Sequence, residues 1–167
     1  MRQPVDGPTR SQICTSLSLL ALAAMTACGS SAPFDAGVDA AGRLGHDCPM
    51  RTALLADIHS NHEALQACLA HARREGAGRF VFLGDLVGYG ADPVACLEII
   101  AGLAEQGAPV VQGNHDAACL GGILPDMSYT ARDAIYWTRD QLGARERAFL
   151  AGLPLAVAEE DRLYVHA

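Results

Sequence analysis

What this chain has little of narrows its partners before any motif is read. Basic side chains are few: 12 Lys and Arg stand against 19 Asp and Glu, for a formal charge of −7, and no basic run occurs. Binding a phosphate backbone needs a cationic surplus, so long nucleic acid is not an expected partner. The six cysteines, at positions 14, 28, 48, 68, 96 and 119, contain no CxxC pair and no zinc-finger spacing. A disulfide framework or a structural thiolate zinc site is therefore not expected. Long apolar runs are missing too: Ile13 to Ala27 spans about fifteen residues where a membrane-crossing helix needs about twenty. No internal repeat appears, and the one low-complexity tract is the small-residue linker from Gly29 to Gly42. What remains is a 167-residue chain, half of it hydrophobic, which is enough for one packed domain.

Residues 1–49 differ from the rest. Arg2 and Arg10 precede the Ile13–Ala27 stretch, which ends in Met25-Thr26-Ala27-Cys28. Charged, apolar and small-residue sections in that order have the form of a secretory signal, and the residues before Cys28 resemble a bacterial lipoprotein processing site. On that reading Cys28 is lipidated and the protein is anchored to a membrane. The other reading starts the protein at Met50, whose Arg51-Thr52-Ala53-Leu54-Leu55 leads directly into a strand; the protein is then cytoplasmic. Either way the division expected is a leader-like segment, 1–49, and a partial catalytic domain, 50–167.

From Met50 apolar strand-like runs end three times in a polar cluster. Thr52–Ala56 reaches Asp57 and His59, Arg79–Leu83 reaches Asp85, and Pro109–Gln112 reaches Asn114, His115 and Asp116. The clusters recur at about 30 residues, the length of a strand, a return helix and the next parallel strand. In parallel sheets sites form beyond the carboxyl ends of the strands, so these groups are expected at one sheet edge in an α/β fold. Helices are expected from an Asn61 cap to about Arg74, from Asp92-Pro93 to about Gln106, over Tyr129–Leu142 and over Arg145–Ala151. A hairpin is expected from Leu155–Ala158 and Leu163–His166 around Glu160-Asp161.

Asp57 and His59, two apart at a strand end, can hold one ion through oxygen and nitrogen. Asp85, from the neighbouring strand, has two oxygens with which to bridge two ions, and Asn114 offers a neutral oxygen to the second. Such an O/N set suits two divalent ions of the Mn²⁺, Fe or Zn²⁺ kind. Gly84 and Gly113 allow the sharp turns that bring backbone close to the ions. Cys68, Cys96 and Cys119 read as small buried hydrophobes. His46, His62 and His71 read as exposed or packed, Tyr136 and Trp137 as core, Arg132 and Arg139 as a solvated helix face, and Tyr89 as a candidate pocket wall.

The strings DIHSN, GDLVGYG and GNHD, in this order and spacing, resemble the calcineurin-like metallophosphoesterase superfamily from Met50 to the last residue. Gly88 stands where many protein-phosphatase members carry a second Asp, which points to the bacterial branch of small phosphodiesterases and phosphatases. The resemblance implies two mixed sheets face to face with helices outside, an α/β/β/α sandwich. It implies that Asp57 and His59 bind the first ion, Asp85 bridges, and Asn114 and His166 bind the second. It implies hydrolysis of a phosphate ester, a small phosphorylated substrate or nucleotide, by a metal-bound hydroxide of lowered pKa. His115, beside Asn114, is then placed to protonate the leaving oxygen or steady the transition state, and Asp116 to orient that imidazole or cap the helix after Ala117.

Members resembling this chain continue past the His166 position into a Gly-His-x-His motif, whereas this sequence stops at Ala167. The expectation is a C-terminally truncated phosphoesterase with weakened metal binding and an incomplete second sheet that exposes an edge and an apolar face. The alternative is a non-catalytic metal- or partner-binding module.

Overall fold

The computed structural model describes residues 50–122, 125 and 127–167. The signal-like stretch, Cys28 and His46 lie outside them. Strand β1, Arg51–Leu55, pairs in parallel with β2, Ala77–Phe82. Between them helix α1, His62–Arg74, makes the crossover; Asn61 caps it by accepting from the Ala64 N–H at 3.0 Å. Helix α2, Pro93–Glu105, follows β2 with Pro93 in the first turn, where its missing N–H costs nothing.

The third expected strand is reduced to one parallel bridge between Phe82 and Val110. Phe82 N–H donates to Pro109 O at 2.9 Å and Val111 N–H to Phe82 O at 3.0 Å. Pro109 has no N–H to extend the ladder on one side, and the backbone turns into a helix at Gly113 on the other. A helix was expected only after Ala117; the one that forms, α3, Asn114–Leu120, starts earlier, at Asn114. Helices α4, Tyr129–Gln141, and α5, Ala144–Ala151, come next, then an antiparallel hairpin of β3, Ala156–Glu159, and β4, Arg162–Val165, turning at Glu160-Asp161. No helix among the described residues is long and apolar enough to cross a membrane.

Alternation along the strands sorts the core into two layers. Ala53, Leu55, Phe80 and Phe82 face the helices and pack with Leu65, Leu69, Leu97, Ile100 and Ile135. Val81, with Leu54 and Leu83 beside it, faces the other way and packs against Val111, Tyr164 and Val157, so the hairpin lies on the opposite face of the parallel sheet. Helices, parallel sheet and hairpin form three successive layers. Arg79 on β2 ties the second and third together through a two-pronged ion pair with Glu159, which also accepts from the Tyr164 hydroxyl at 3.2 Å.

Two side chains depart from expectation. Tyr136 is exposed, because α4 buries the face carrying Ala131, Ile135 and Thr138, and Arg139 lies over its ring instead. Arg139 is not merely solvated: its Nε donates to Ala118 O at 3.1 Å and its Nη2 to Gly121 O, closing the carbonyl end of α3. Cys96 and Cys119 are buried, as expected, and Cys68 packs at the edge of the same core.

Candidate metal centre

Three loops converge at the carboxyl ends of β1, β2 and the Val110 bridge. Backbone bonds zip them together: Asp57 N–H donates to Gly84 O (3.2 Å), His59 N–H to Asp85 O (2.9 Å) and Ser60 N–H to Leu86 O (3.0 Å). Every positive-φ residue other than glycine among the described residues lies here: Asp57 (55°), His59 (48°), Ser60 (57°), Asp85 (51°) and Tyr89 (58°). Such backbone costs energy in L-residues and persists only where the surroundings over-determine it. The glycines of these loops make the approach possible. A Cβ on Gly113 would sit 2.2 Å from both the Asp85 N and its Oδ1, and one on Gly90 2.3 Å from His59 O.

The ligand-type side chains meet in the middle. Atoms of Asp57, Asp85 and His166 lie within 4.8 Å of one another, a group able to hold a metal ion. His59 Nε2 stands 3.8 Å from Asp57 Oδ1 and 3.7 Å from Asp85 Oδ2, while His166 Nε2 stands 3.5 Å from Asp85 Oδ1. The Asp85 carboxylate thus offers one oxygen to each histidine. These gaps exceed a hydrogen bond but match what two ligands, each at about 2.0–2.2 Å from one ion, leave between them.

The tautomers also suit a cation. His59 Nδ1 donates to Val87 O (3.2 Å) and His166 Nδ1 to Leu83 O (2.8 Å), so both rings turn an Nε2 lone pair inward. His166 Nε2 faces Asn114 Oδ1 at 3.0 Å, a pair that with the ring neutral is two acceptors a positive ion between them would serve. Nothing in the sequence marks the Leu83 and Val87 carbonyls, because every residue carries one. All five expected ligand residues are brought together, four from the three loops and His166 from the end of β4.

His115 and Asp116 sit differently. His115 is buried, its backbone N–H donates to Asp85 Oδ1 at 2.9 Å, and its Nδ1 has no hydrogen-bond partner among the described residues. Its ring stacks edge-on against His59 at 4.8 Å and lies 4.8 Å from that of Tyr89. Burial holds its pKa below the ordinary value against the pull of Asp85, so neutral imidazole is favoured. Gly88 makes room for it: a Cβ there would meet His115 Nδ1 at 2.6 Å.

Asp116 does not orient that ring, nor does it cap a helix beyond Ala117. It stands at the third position of α3, where Oδ2 accepts from Gly113 N–H at 2.9 Å and Oδ1 from Leu86 and Val87 N–H at 2.9 and 3.1 Å. Burial raises its pKa while these three amides pull it back. An Asp three residues after the capping Gly113 is half of a capping box, the signal that could have placed the start of α3 at Asn114.

A cavity of about 320 Å³ opens beside this cluster, with Asn114, His115 and Tyr89 among its lining residues. Tyr89 is thereby a pocket wall, as the sequence suggested.

Comparison with known proteins agrees with the geometry. The family model "Calcineurin-like phosphoesterase" matches residues 50–166. The chain is 40% identical over 108 residues to an uncharacterised protein, MJ0912, of Methanocaldococcus jannaschii, covering 64% of this chain and 43% of that protein. It is 34% identical over 126 residues to a symmetrical bis(5′-nucleosyl)-tetraphosphatase of Glaesserella parasuis, covering 71% of this chain and 44% of that one. A crystal structure of a metallophosphoesterase from Sphaerobacter thermophilus superposes with a TM-score of 0.57 at 39% identity, over 68% of this chain and 45% of that chain. The chain therefore spans less than half the length of these relatives. The family hydrolyses phosphate esters and depends on metal. Since the match runs from the residue before β1 to His166 and takes in every side chain of the centre, the chain belongs to the calcineurin-like phosphoesterase family.

Proposed function

We propose that this chain carries the metal centre of a phosphoesterase acting on a small phosphate ester or nucleotide. The observation that supports it most is the Asp85 carboxylate set between two imidazoles, with Asp57 beside that of His59 and Asn114 beside that of His166. Asp57, His59 and Asp85 would hold one divalent ion and Asp85, Asn114 and His166 another, of the Mn²⁺, Fe or Zn²⁺ kind. When bound, the ions would supply Lewis-acid charge and a nucleophilic water of lowered pKa.

The protein's own groups do the remainder. Asp85 is held in place by the His115 N–H, which fixes both of its oxygens relative to His59 and His166. His115, neutral and at the cavity wall, donates an imidazole N–H to an oxygen of the phosphoryl group as charge develops there. Asp116 acts at a distance, holding the Gly84–Gly88 loop against α3 so that the positions of Asp85 and His115 are fixed together. The nucleotide option draws on the tetraphosphatase relative.

The test is metal content, with turnover of p-nitrophenyl phosphate and its bis ester, on residues 50–167 purified with Mn²⁺ beside an Asp85→Asn control. About two ions per chain and Asp85-dependent hydrolysis would support the reading, and the ester preference would narrow the substrate. Metal bound without turnover would favour a non-catalytic binding module. Absence of metal would sink the phosphoesterase reading and a metal-binding module alike, leaving only a partner-binding one.

A further inference from the structure

The cavity beside the centre has two kinds of wall. Asn114, His115 and Ser128 are its polar lining residues; Tyr89, Pro125, Met127 and Ala131 supply a ring and apolar groups. Its volume, about 320 Å³, lies at the small end of the roughly 300–1,000 Å³ range of ligand pockets, room for one compact ring system. Ala131, in the first turn of α4, contributes only a methyl group, and the capping bond from its N–H to Ser128 Oγ at 3.2 Å fixes that turn.

Tyr89 is the wall under most constraint. Its backbone is held at φ 58°, where a bulky side chain is an outlier. Its ring abuts two others, His59 at 4.9 Å edge-on and His115 at 4.8 Å with 41° between planes. A ring clamped in this way loses little freedom when something stacks on it, and Met127 adds a thioether of the kind that packs well on aromatic rings. Simple wall-filling would not need a tyrosine in a strained conformation.

We infer that the cavity receives a planar ring, of nucleobase size and chemistry, from the alcohol portion of the phosphate ester, and that Tyr89 is the specificity-determining residue on which it stacks. The inference rests on the phosphoesterase reading for its orientation, with the phosphoryl group beside Asn114 and His115.

Two esters with the same scissile bond test it: adenosine 5′-monophosphate and ribose 5-phosphate, which differ only in the base. In Tyr89→Asn, chosen because Asn tolerates a left-handed backbone, the ratio of the two kcat/KM values should fall about tenfold, as expected for loss of a stacking platform. Tyr89→Phe should keep the ratio. Any loosening of His59 or His115 affects both esters and cancels in the ratio. A ratio unchanged in Tyr89→Asn overturns the inference.

A second readout needs no turnover. The fluorescence of 2-aminopurine riboside 5′-phosphate, titrated with the full chain in Zn²⁺, should be quenched by wild type and Tyr89→Phe and not by Tyr89→Asn. If neither ester is hydrolysed, the phosphoesterase reading fails while this titration still decides the pocket: quenching that survives in Tyr89→Asn overturns the inference, and quenching lost there supports it.

Discussion

Asp116 shows how a residue can matter to the centre without touching it. Its two oxygens serve three buried backbone amides, from Leu86, Val87 and Gly113. Asp116→Ala would leave all three without partners, at about 1–3 kcal/mol each before relaxation, so a loss of about 3–5 kcal/mol in urea unfolding is expected. A loss under about 1 kcal/mol would show that water replaces the carboxylate. The cysteines give a residue-scale expectation of another kind. Burial pushes the Cys96 and Cys119 thiols up to about 12. Only the thiolate attacks an alkylating agent, and at pH 8 about one thiol in ten thousand is ionised. Iodoacetamide should therefore leave Cys96 and Cys119 unmodified in the native protein and label them in urea, read by peptide mass. Raising the pH toward 12 should increase labelling, because the thiolate fraction grows until the pKa is passed.

At the scale of elements, the ligands of the sheet edge come from loops, but His166 comes from the hairpin. What docks the hairpin is Tyr164 on Val81 and Val111, together with the Arg79–Glu159 pair. Tyr164→Ala is expected to weaken Zn²⁺ binding by about tenfold or more, measured by titration calorimetry, with the helix signal in circular dichroism retained. Unchanged affinity would show that His166 is held by its bond to Leu83 O alone. The strand-to-ligand pattern was legible because Asp57, His59, Asp85 and Asn114 follow apolar runs at a repeated interval. The start of α3 was not, because Asn114-His115-Asp116 reads as a ligand cluster and hides its own capping signal. The third strand was over-read from Val110-Val111, since two β-branched residues fit a ladder that Pro109 cuts short. Arg139 looked solvated because a sequence does not reveal that the end of α3 lies under α4.

For the whole molecule, the outward side of the hairpin is the open question of packing. Leu163 and Val165 on β4, on either side of the inward-facing Tyr164, are 65% and 43% exposed. Apolar side chains along a hairpin of this kind favour pairing with another surface. Sedimentation velocity of residues 50–167 should show association that grows with concentration, and Leu163→Lys should reduce it. A monomer at all concentrations would mean that these side chains are tolerated singly in water.

The position of His166 also ties chemistry to folding. Since an ion held between Asp85 and His166 would join the parallel sheet to the hairpin, its binding energy is shared with their docking. The centre would then act as a clasp: chelation would not merely empty it but loosen an entire layer, and anything that pries the hairpin away would release metal.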